Sequence, residues 1–488
     1  MNAIQDILIN CSPRETRVAI LVDGVVEDLH IERVASRGLV GNVYMGKVLR
    51  VLPGMQSAFV DVGLERTAFL HVLDIQGARQ ENGEYRPIEK LIGEGQRLLV
   101  QVAKDPIGTK GARLTTSISL AGRKLVYLPQ DHHIGVSQKI EDAERREYLR
   151  EQVTRLRKED EKGGYIVRTC AEEAAADEEM LEDMRYLGCL WEQTRRKAEN
   201  SPAPSLLYED LSLAKRVLRD MVQTETRRIL VDSTEVFEEL KTFAQTFVQS
   251  ALPLLELYRG EEPLFETQQV EAELQRALER RVPLKSGGYI VVDCTEAMTT
   301  IDVNTGGFVG KRDFSETVFK TNLEAAKTIA RQLRLRNLGG IIIIDFIDMQ
   351  SAAHRAAVLD ELRRAVASDR TKITISEFTE LGLVEMTRKR TRESLSHTLC
   401  EPCPLCAGRG EIKTARTVCY EIMREIVRLY RQYEKADSFK ILASQTVIDF
   451  FLEDESCALE LLQSFVQKPV QLETEPAYTQ EQYDVLIG

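Results

Sequence analysis

Histidine is scarce in this chain, at six in 488 residues, and no two stand at a spacing that would bring them together on a helix to hold a metal. A histidine zinc centre or a Ser-His-Asp triad therefore has little to build on. No run of about 18 apolar residues occurs, which excludes a membrane-spanning helix. The opening residues, MNAIQDILINC, lack the basic stretch and apolar core of a secretory signal, so an intracellular, cytoplasmic protein is expected. Nine cysteines, an odd number spread over a long chain, do not read as a disulfide framework. Only Cys400, Cys403 and Cys406 cluster.

What is present is an ordinary folded composition, 43% hydrophobic and 29% charged, long enough for about three to five domains. The net charge of −12 argues at first against a nucleic-acid partner. The average hides an asymmetry. Residues 271–399 hold 20 basic against 18 acidic residues, while the remainder holds 45 against 59. Basic groups facing one groove can still bind a polyanion, so net charge does not decide the matter.

Along the chain, 6–11, 17–22 and 25–31 read as strands, with Asp23-Gly24 as a hairpin turn. Residues 37–119 alternate apolar and polar positions in five short strands, the pattern of a small OB-type barrel. Charged helices are expected over 140–162 and 172–199, with the strand 165–169 between them. SPAPS at 201–205 reads as a linker. An amphipathic helix over 211–228 leads into a strand at 229–232. From 285 a hairpin, a long helix opened by DFSE at 313–316 and closed near 337–340, and the apolar strand 341–344 compose a βαβ unit. A small mixed α/β segment, 413–488, follows.

The strand 300–304 places Asp302 and Asn304 on one face, and Asp345 ends the neighbouring strand. Open α/β sheets place ligands at that edge, and two carboxylates meeting there point to Mg²⁺ or Mn²⁺. Acids also cap loops at strand ends, and Asp348 reads as a helix cap or a third ligand. Arg331, Arg334 and Arg336, with Arg388, Lys389, Arg390 and Arg392, would suit a polyanionic substrate, although helix-end cations also answer the helix dipole. Phe59 and Phe69, with Tyr44 and Lys110 near them in the pattern, could stack unpaired bases or lie in a core. CPLCAGRG at 403–410 is half of a tetrahedral zinc site. A second subunit, or another part of the chain with Cys400 a possible third ligand, would complete it.

The stretches GLVGNVYMGKVLRVLPGMQSAFVDVG, GTKGARLTTSISLAGR, GGYIVRT, EAMTTIDVNTG, ARQLRLRNLGGIIIIDFIDM, GLVEMTRKRTRESL and CPLCAGRG, in this order over essentially the whole chain, resemble the ribonuclease E/G family of bacterial endoribonucleases. The resemblance implies a multidomain α/β architecture. An RNase H-like subdomain (1–36 and 213–277) would carry an inserted S1-type OB fold (37–119) and a 5′-sensor domain (120–212). A DNase I-like catalytic domain (278–399), a zinc link (400–412) and a small C-terminal domain (413–488) would follow.

It also implies roles. Asp302 and Asp345 match the family's Mg²⁺ ligands and Asn304 the polar residue that orients them. Cys403 and Cys406 match a zinc pair shared between subunits of a homodimer or dimer of dimers. Phe59, Phe69 and Lys110 match an RNA-contacting face, and Gly122, Val126, Arg168 and Thr169 a pocket for a 5′-monophosphate. Gln138-Lys139 and Lys372 stand where arginines occur in the ribonuclease E branch, and Lys cannot fork around a phosphate as Arg does. The implied activity is Mg²⁺-dependent cleavage of single-stranded A/U-rich RNA to 5′-phosphate and 3′-hydroxyl ends, stimulated by a 5′-monophosphate. Maturation of the 16S ribosomal RNA 5′ end and messenger RNA turnover are the implied tasks. The competing expectations are a non-catalytic RNA-binding scaffold and a small-molecule phosphoesterase.

Overall fold

The computed structural model describes residues 4–80, 82–106, 111–140, 142–157, 163–171, 176–307, 314–433 and 437–488. They divide into two compact units, 1–398 and 399–488.

The first unit opens with three antiparallel strands, Gln5–Ser12, Glu15–Val22 and Val25–Arg33, the last two joined through Asp23-Gly24, both at positive φ. Thr226–Val231 and then Leu255–Leu257 extend this sheet in parallel on its other side. Its apolar face (Ile7, Ile9, Val18, Ile229, Val231) packs on the helices Leu213–Asp220 and Thr234–Phe247. The chain thus leaves this sheet after residue 33 and returns to pack on it with the helix Leu213–Asp220, so the segment between is inserted.

The insertion begins with a barrel. Val43–Leu52 pairs on one side with Ser57–Asp61 and on the other with Arg97–Lys104, and Ala68–His71 and Arg113–Thr115 complete five strands closed on themselves. Closure covers most strand edges among the five and leaves the start of Val43–Leu52 open on one side. Strict alternation fills the interior with Val48, Ala58, Val60, Leu70, Val100 and Leu114. Tyr44 belongs to this core, 5% exposed, and not to an outer binding face.

A second inserted sheet, Leu120–Ala121, Leu125–Leu128, Ile134–Val136 and Gly164–Val167, packs on the helices Ala143–Leu156 and Asp177–Asn200. The first helix starts later than expected because the Asp142 side chain, accepting from the Glu144 and Arg145 amides, sets its start. Residues 201–205 are anchored, contrary to the linker expectation. Ser205–Tyr208 joins the barrel as an outer strand on Val43–Leu52, and Arg97 donates to the Ser201 carbonyl at 2.6 Å. The apolar Leu206-Leu207-Tyr208 that follows the prolines finds a ladder partner there, and a paired backbone is not free to swing.

The third sheet of this unit has the order Arg281–Pro283, Tyr289–Cys294, Met298–Asn304, Gly340–Asp345, Leu383–Arg388, Ile373–Phe378. Met298–Asn304 and Gly340–Asp345 run parallel and are linked by the helix Phe314–Leu335, the expected βαβ unit. Asp313, the expected cap, lies outside the described residues. The helix ends as expected, with Asn337 left-handed at φ 48 and the Leu338 amide donating back to the Leu333 carbonyl at 3.0 Å. Residues Ile290, Val292, Ile301, Val303, Ile342, Ile344, Val384 and Met386 bury one sheet face under this helix and Ala352–Val366. The opposite face, with Val291, Asp302, Ile343, Asp345, Glu385 and Thr387, is exposed or half-buried among the described residues.

Four arginines expected at a polyanion site hold the fold instead. Arg331 donates to the Val26 carbonyl at 2.8 and 3.0 Å and pairs with Glu273, and Arg334 pairs with Glu27. Arg336 is buried on Gln332 at 2.6 Å. Arg388 is buried with Asp369 at 2.7 Å and also donates to the Leu338 carbonyl at 2.9 Å. Guanidinium groups, permanently charged and rich in donors, suit such buried carbonyl and carboxylate partners.

The second unit is a three-stranded sheet, with Phe439–Ala443 central, parallel to Val470–Thr474 and antiparallel to Tyr483–Ile487. The helices Ala415–Gln432, Gln445–Leu452 and Ser456–Val466 supply the rest of its core.

Burial pushes the Asp369 carboxyl up, but the Arg388 hydrogen bond and the Thr371 amide outweigh it and hold the group below its ordinary value. Its stabilisation is therefore present above the unfolded-state pKa of about 3.9 and is lost as pH falls through the folded-state value. Arg388→Ala strands this carboxylate in the core and is expected to cost about 3–5 kcal/mol in urea unfolding at neutral pH. The deficit should shrink in acid, where Asp369 takes up its proton.

Candidate active site

Asp302 and Asn304 share the open face of their strand, two residues apart. The parallel ladder sets Asp302 directly beside Asp345, and the Asn304 amide donates to the Asp302 carboxylate at 2.7 Å. The Asp345 carboxyl is held above the usual range, first by partial loss of hydration and then by the charges of Asp302 and Asp348. Asp348 does not cap the next helix. That cap is Ser351, accepting from the His354 amide, and the Asp348 carboxylate remains exposed.

Unrelieved repulsion between two register-paired carboxylates is what a divalent cation removes, and the donors present are hard oxygens. Among the described residues no three His, Cys, Asp or Glu side chains converge to hold a metal. The donor set that fits a cation is thus two carboxylates, with a carboxamide behind one of them. Mg²⁺, which keeps several waters, tolerates so sparse a set.

On the barrel, Phe59 and Phe69 alternate with core residues and point outward, cross-strand partners with ring centroids 6.2 Å apart. Arg50 lies opposite Phe59, and Arg113 opposite Phe69, so the aromatic pair is flanked by a guanidinium on each side. Arg113 is tied to Asp74 at 2.7 Å, whereas Arg50 is exposed. Arg50 carried no signal in the sequence, because a bulge between Val48 and Arg50 shifts its register. Lys110 lies outside the described residues.

Val126 lies in the second inserted sheet, and Gly122, Arg168 and Thr169 directly follow its strands. Val126 pairs with Ile166, the Arg168 amide donates to the Lys124 carbonyl at 2.8 Å, and its guanidinium donates to the Gly122 carbonyl. Thr169 is exposed at the start of a single turn. Two acids that sequence reasoning missed organise this corner. The Asp183 carboxylate accepts from three successive amides, Arg123, Lys124 and Leu125, at 2.9, 2.8 and 2.7 Å. Burial raises it, although those amides pull the other way. Its sequence signal was available, an acid within the apolar stripe Met180, Met184, Leu187 of its helix. Asp220 accepts from Arg168 at 2.7 Å and from Arg219 at 2.8 Å, and its carbonyl accepts from Arg370 at 2.6 Å. Lys139 donates to the Arg370 carbonyl.

In the second unit, the Gly410 amide donates to the Cys406 sulfur at 3.4 Å. This bond above all, with the Gly408 amide and Cys403 against some loss of hydration, holds the Cys406 thiol below its ordinary value. Ala407, Gly408 and Gly410 at positive φ turn the amides toward it. Cys400 and Cys403 are exposed. Two thiols at CxxC spacing match half of the donor set that a tetrahedral zinc site would need.

Comparison with known proteins places the chain among relatives of one family. The pattern of the Ribonuclease E/G family matches residues 119–391. Ribonuclease G of Salmonella typhimurium (strain SL1344) and of Escherichia coli (strain K12) are each 50% identical to the chain over 489 residues, covering 99% of both sequences. Ribonuclease E of Haemophilus influenzae is 40% identical over 429 residues, 86% of this chain but 45% of its own length.

A Cβ on Gly122 would lie 2.5 Å from both Asp183 carboxylate oxygens, which three amides pin in place. Gly122→Ala should displace that carboxylate and cost about 1–3 kcal/mol. Faster hydrogen exchange at the 123–125 amides would report it, and unchanged protection would contradict the assignment.

Proposed function

The chain belongs to the ribonuclease E/G family and is an endoribonuclease, and we propose that it works as ribonuclease G does by name, with Asp302, Asn304 and Asp345 as its cleavage site. The observation that carries this reading is the register pairing of Asp302 with Asp345 on an open sheet face, within a chain aligned end to end with ribonuclease G relatives. Single-stranded A/U-rich RNA is the proposed substrate. Maturation of the 16S ribosomal RNA 5′ end and turnover of messenger RNA in the cytoplasm are the proposed tasks. No helix among the described residues is long and apolar enough to cross a membrane.

Asp302 and Asp345 would hold Mg²⁺, and Asn304 would fix the Asp302 carboxylate so that its free oxygen keeps one orientation. When bound, the ion supplies Lewis-acid polarisation of the scissile phosphate. In-line attack by water on phosphorus forms one P–O bond and breaks the P–O3′ bond. The leaving oxygen takes up a proton as the 3′-hydroxyl, and the phosphate stays on the 5′ side of the downstream product.

The outward Phe59–Phe69 pair offers rings for splayed bases, which a duplex keeps stacked within itself, and this supports single-strand preference. Arg168 would grip a terminal monophosphate through charge-assisted bonds, since an internal phosphodiester has one negative charge fewer to offer. Zn²⁺ would be shared by the Cys403–Cys406 pairs of two chains, giving a homodimer or a dimer of dimers.

Two short A/U-rich RNAs, differing only in a 5′-monophosphate or 5′-hydroxyl, test the reading with Mg²⁺ and with EDTA. Cleavage should require Mg²⁺ and run faster on the monophosphate. Arg168→Lys should remove most of that difference. Asp302→Asn should lower the rate by roughly 10³-fold with RNA affinity nearly unchanged. Equal rates on both RNAs would sink the 5′ pocket alone, and no cutting of either would bring the scaffold reading forward.

Zinc analysis of the purified protein should give half an equivalent per chain. Cys406→Ser or chelation should convert dimers to monomers in analytical ultracentrifugation. A full equivalent on a monomer would refute the shared site.

A further inference from the structure

The row that pairs Asp302 with Asp345 continues across the sheet in both directions. Val291 lies opposite Asp302, and Arg281 opposite Val291, so Arg281, Val291, Asp302 and Asp345 form one line on the open face. The next line along the same face holds Pro283, Tyr289 and Asn304. Arg281 belongs to the edge strand, two strand spacings or about 10 Å from Asp302.

Its guanidinium carbon sits 3.7 Å from the centre of the Tyr289 ring, close enough for stacking contact. Its neighbour Arg280 is taken up by an ion pair with Asp293. Arg281 has none among the described residues, and its side chain is exposed while Tyr289 beneath it is half-buried. An exposed planar cation resting on an aromatic ring has lost much of the freedom a surface arginine normally keeps, and its outer face is still unused.

We propose that Arg281, backed by Tyr289, is a stacking shelf for the base of a nucleotide adjoining the scissile phosphodiester, and so helps to hold the strand in place over the cleavage site. The proposal rests on the Asp302–Asp345 cleavage site. A phosphate held by that pair leaves its neighbouring nucleoside within reach of a group in the same row, and arginine planes accept bases of any identity. Arg281 is the contacting group. Tyr289 is a positioning residue, keeping the guanidinium over its ring.

The test places 2-aminopurine on either side of the preferred cleavage position in a short A/U-rich RNA bound to Asp302→Asn protein. Stacking should quench its fluorescence at one of the two positions. Adding Arg281→Ala or Tyr289→Ala should release the quenching, and Tyr289→Phe should retain it. In otherwise wild-type protein, Arg281→Lys should raise KM about tenfold with kcat within twofold, because lysine keeps the charge and loses the plane. Removing the base at the quenched position should cost the wild type a similar factor and the Arg281→Lys variant little.

Full activity in Arg281→Lys, with only Arg281→Ala weakened and its salt dependence reduced, would make Arg281 a phosphate contact and overturn the shelf. So would an unquenched base in a bound complex. Rapid cleavage by Asp302→Asn itself would instead refute the cleavage site on which the proposal stands.

Discussion

The pairing of Asp302 with Asp345 depends on two strands running parallel, and much of the first unit serves that constraint. Parallel neighbours need a crossover, here the helix Phe314–Leu335, which must lie on one sheet face and so leaves the other available for chemistry. The end of that helix is locked by Asn337, whose side chain accepts from the buried Arg388 at 3.2 Å and donates to the Arg392 and Glu393 carbonyls at 2.9 Å. A slip of one residue in either strand would send one carboxylate to the apolar face. The register is thus held by everything that buries Ile301, Val303, Ile342 and Ile344.

The cations divide by partner. Arg331, Arg334 and Arg388 spend their donors on carbonyls and carboxylates of neighbouring elements, tying the helix to the first sheet and the last strands to the βαβ unit. Arg50 and Arg281 have exposed side chains next to aromatic rings, at Phe59 by register and at Tyr289 by contact. A net charge of −12 therefore says little about where a polyanion would lie. What matters is which guanidinium groups remain unspent.

Internal carboxylates occupy two places where the chain presents donors to an anion. Asp183 fills a turn of three amides, and Asp220 bridges Arg168 and Arg219. The same physics that binds phosphate, amides and guanidinium groups converging on oxygens, is used here to brace the corner that carries Arg168. The Cys406 thiol is treated likewise by the amides that follow it.

Local pattern left open whether Phe59 and Phe69 face outward, but was enough for the Asp23-Gly24 hairpin, the barrel strands, the βαβ unit, and the face shared by Asp302 and Asn304. These follow from periodicities of 2 and 3.6 and from turn chemistry, which act over a few residues. Helix ends near 143 and 177, the anchoring of 201–205, and the burial of Tyr44, Arg336 and Arg388 required knowing which elements meet. So did the acids at 183 and 220 and the contact of Arg281 with Tyr289, because each partner lies in another element or on an adjacent strand. Spacing along the chain carried several of the elements, the family resemblance and the strand face that Asp302 and Asn304 share. Which charges are consumed in holding the fold, and which are left to act, was settled by packing, because hydrogen-bond partners are assigned by neighbouring elements and not by spacing along the chain.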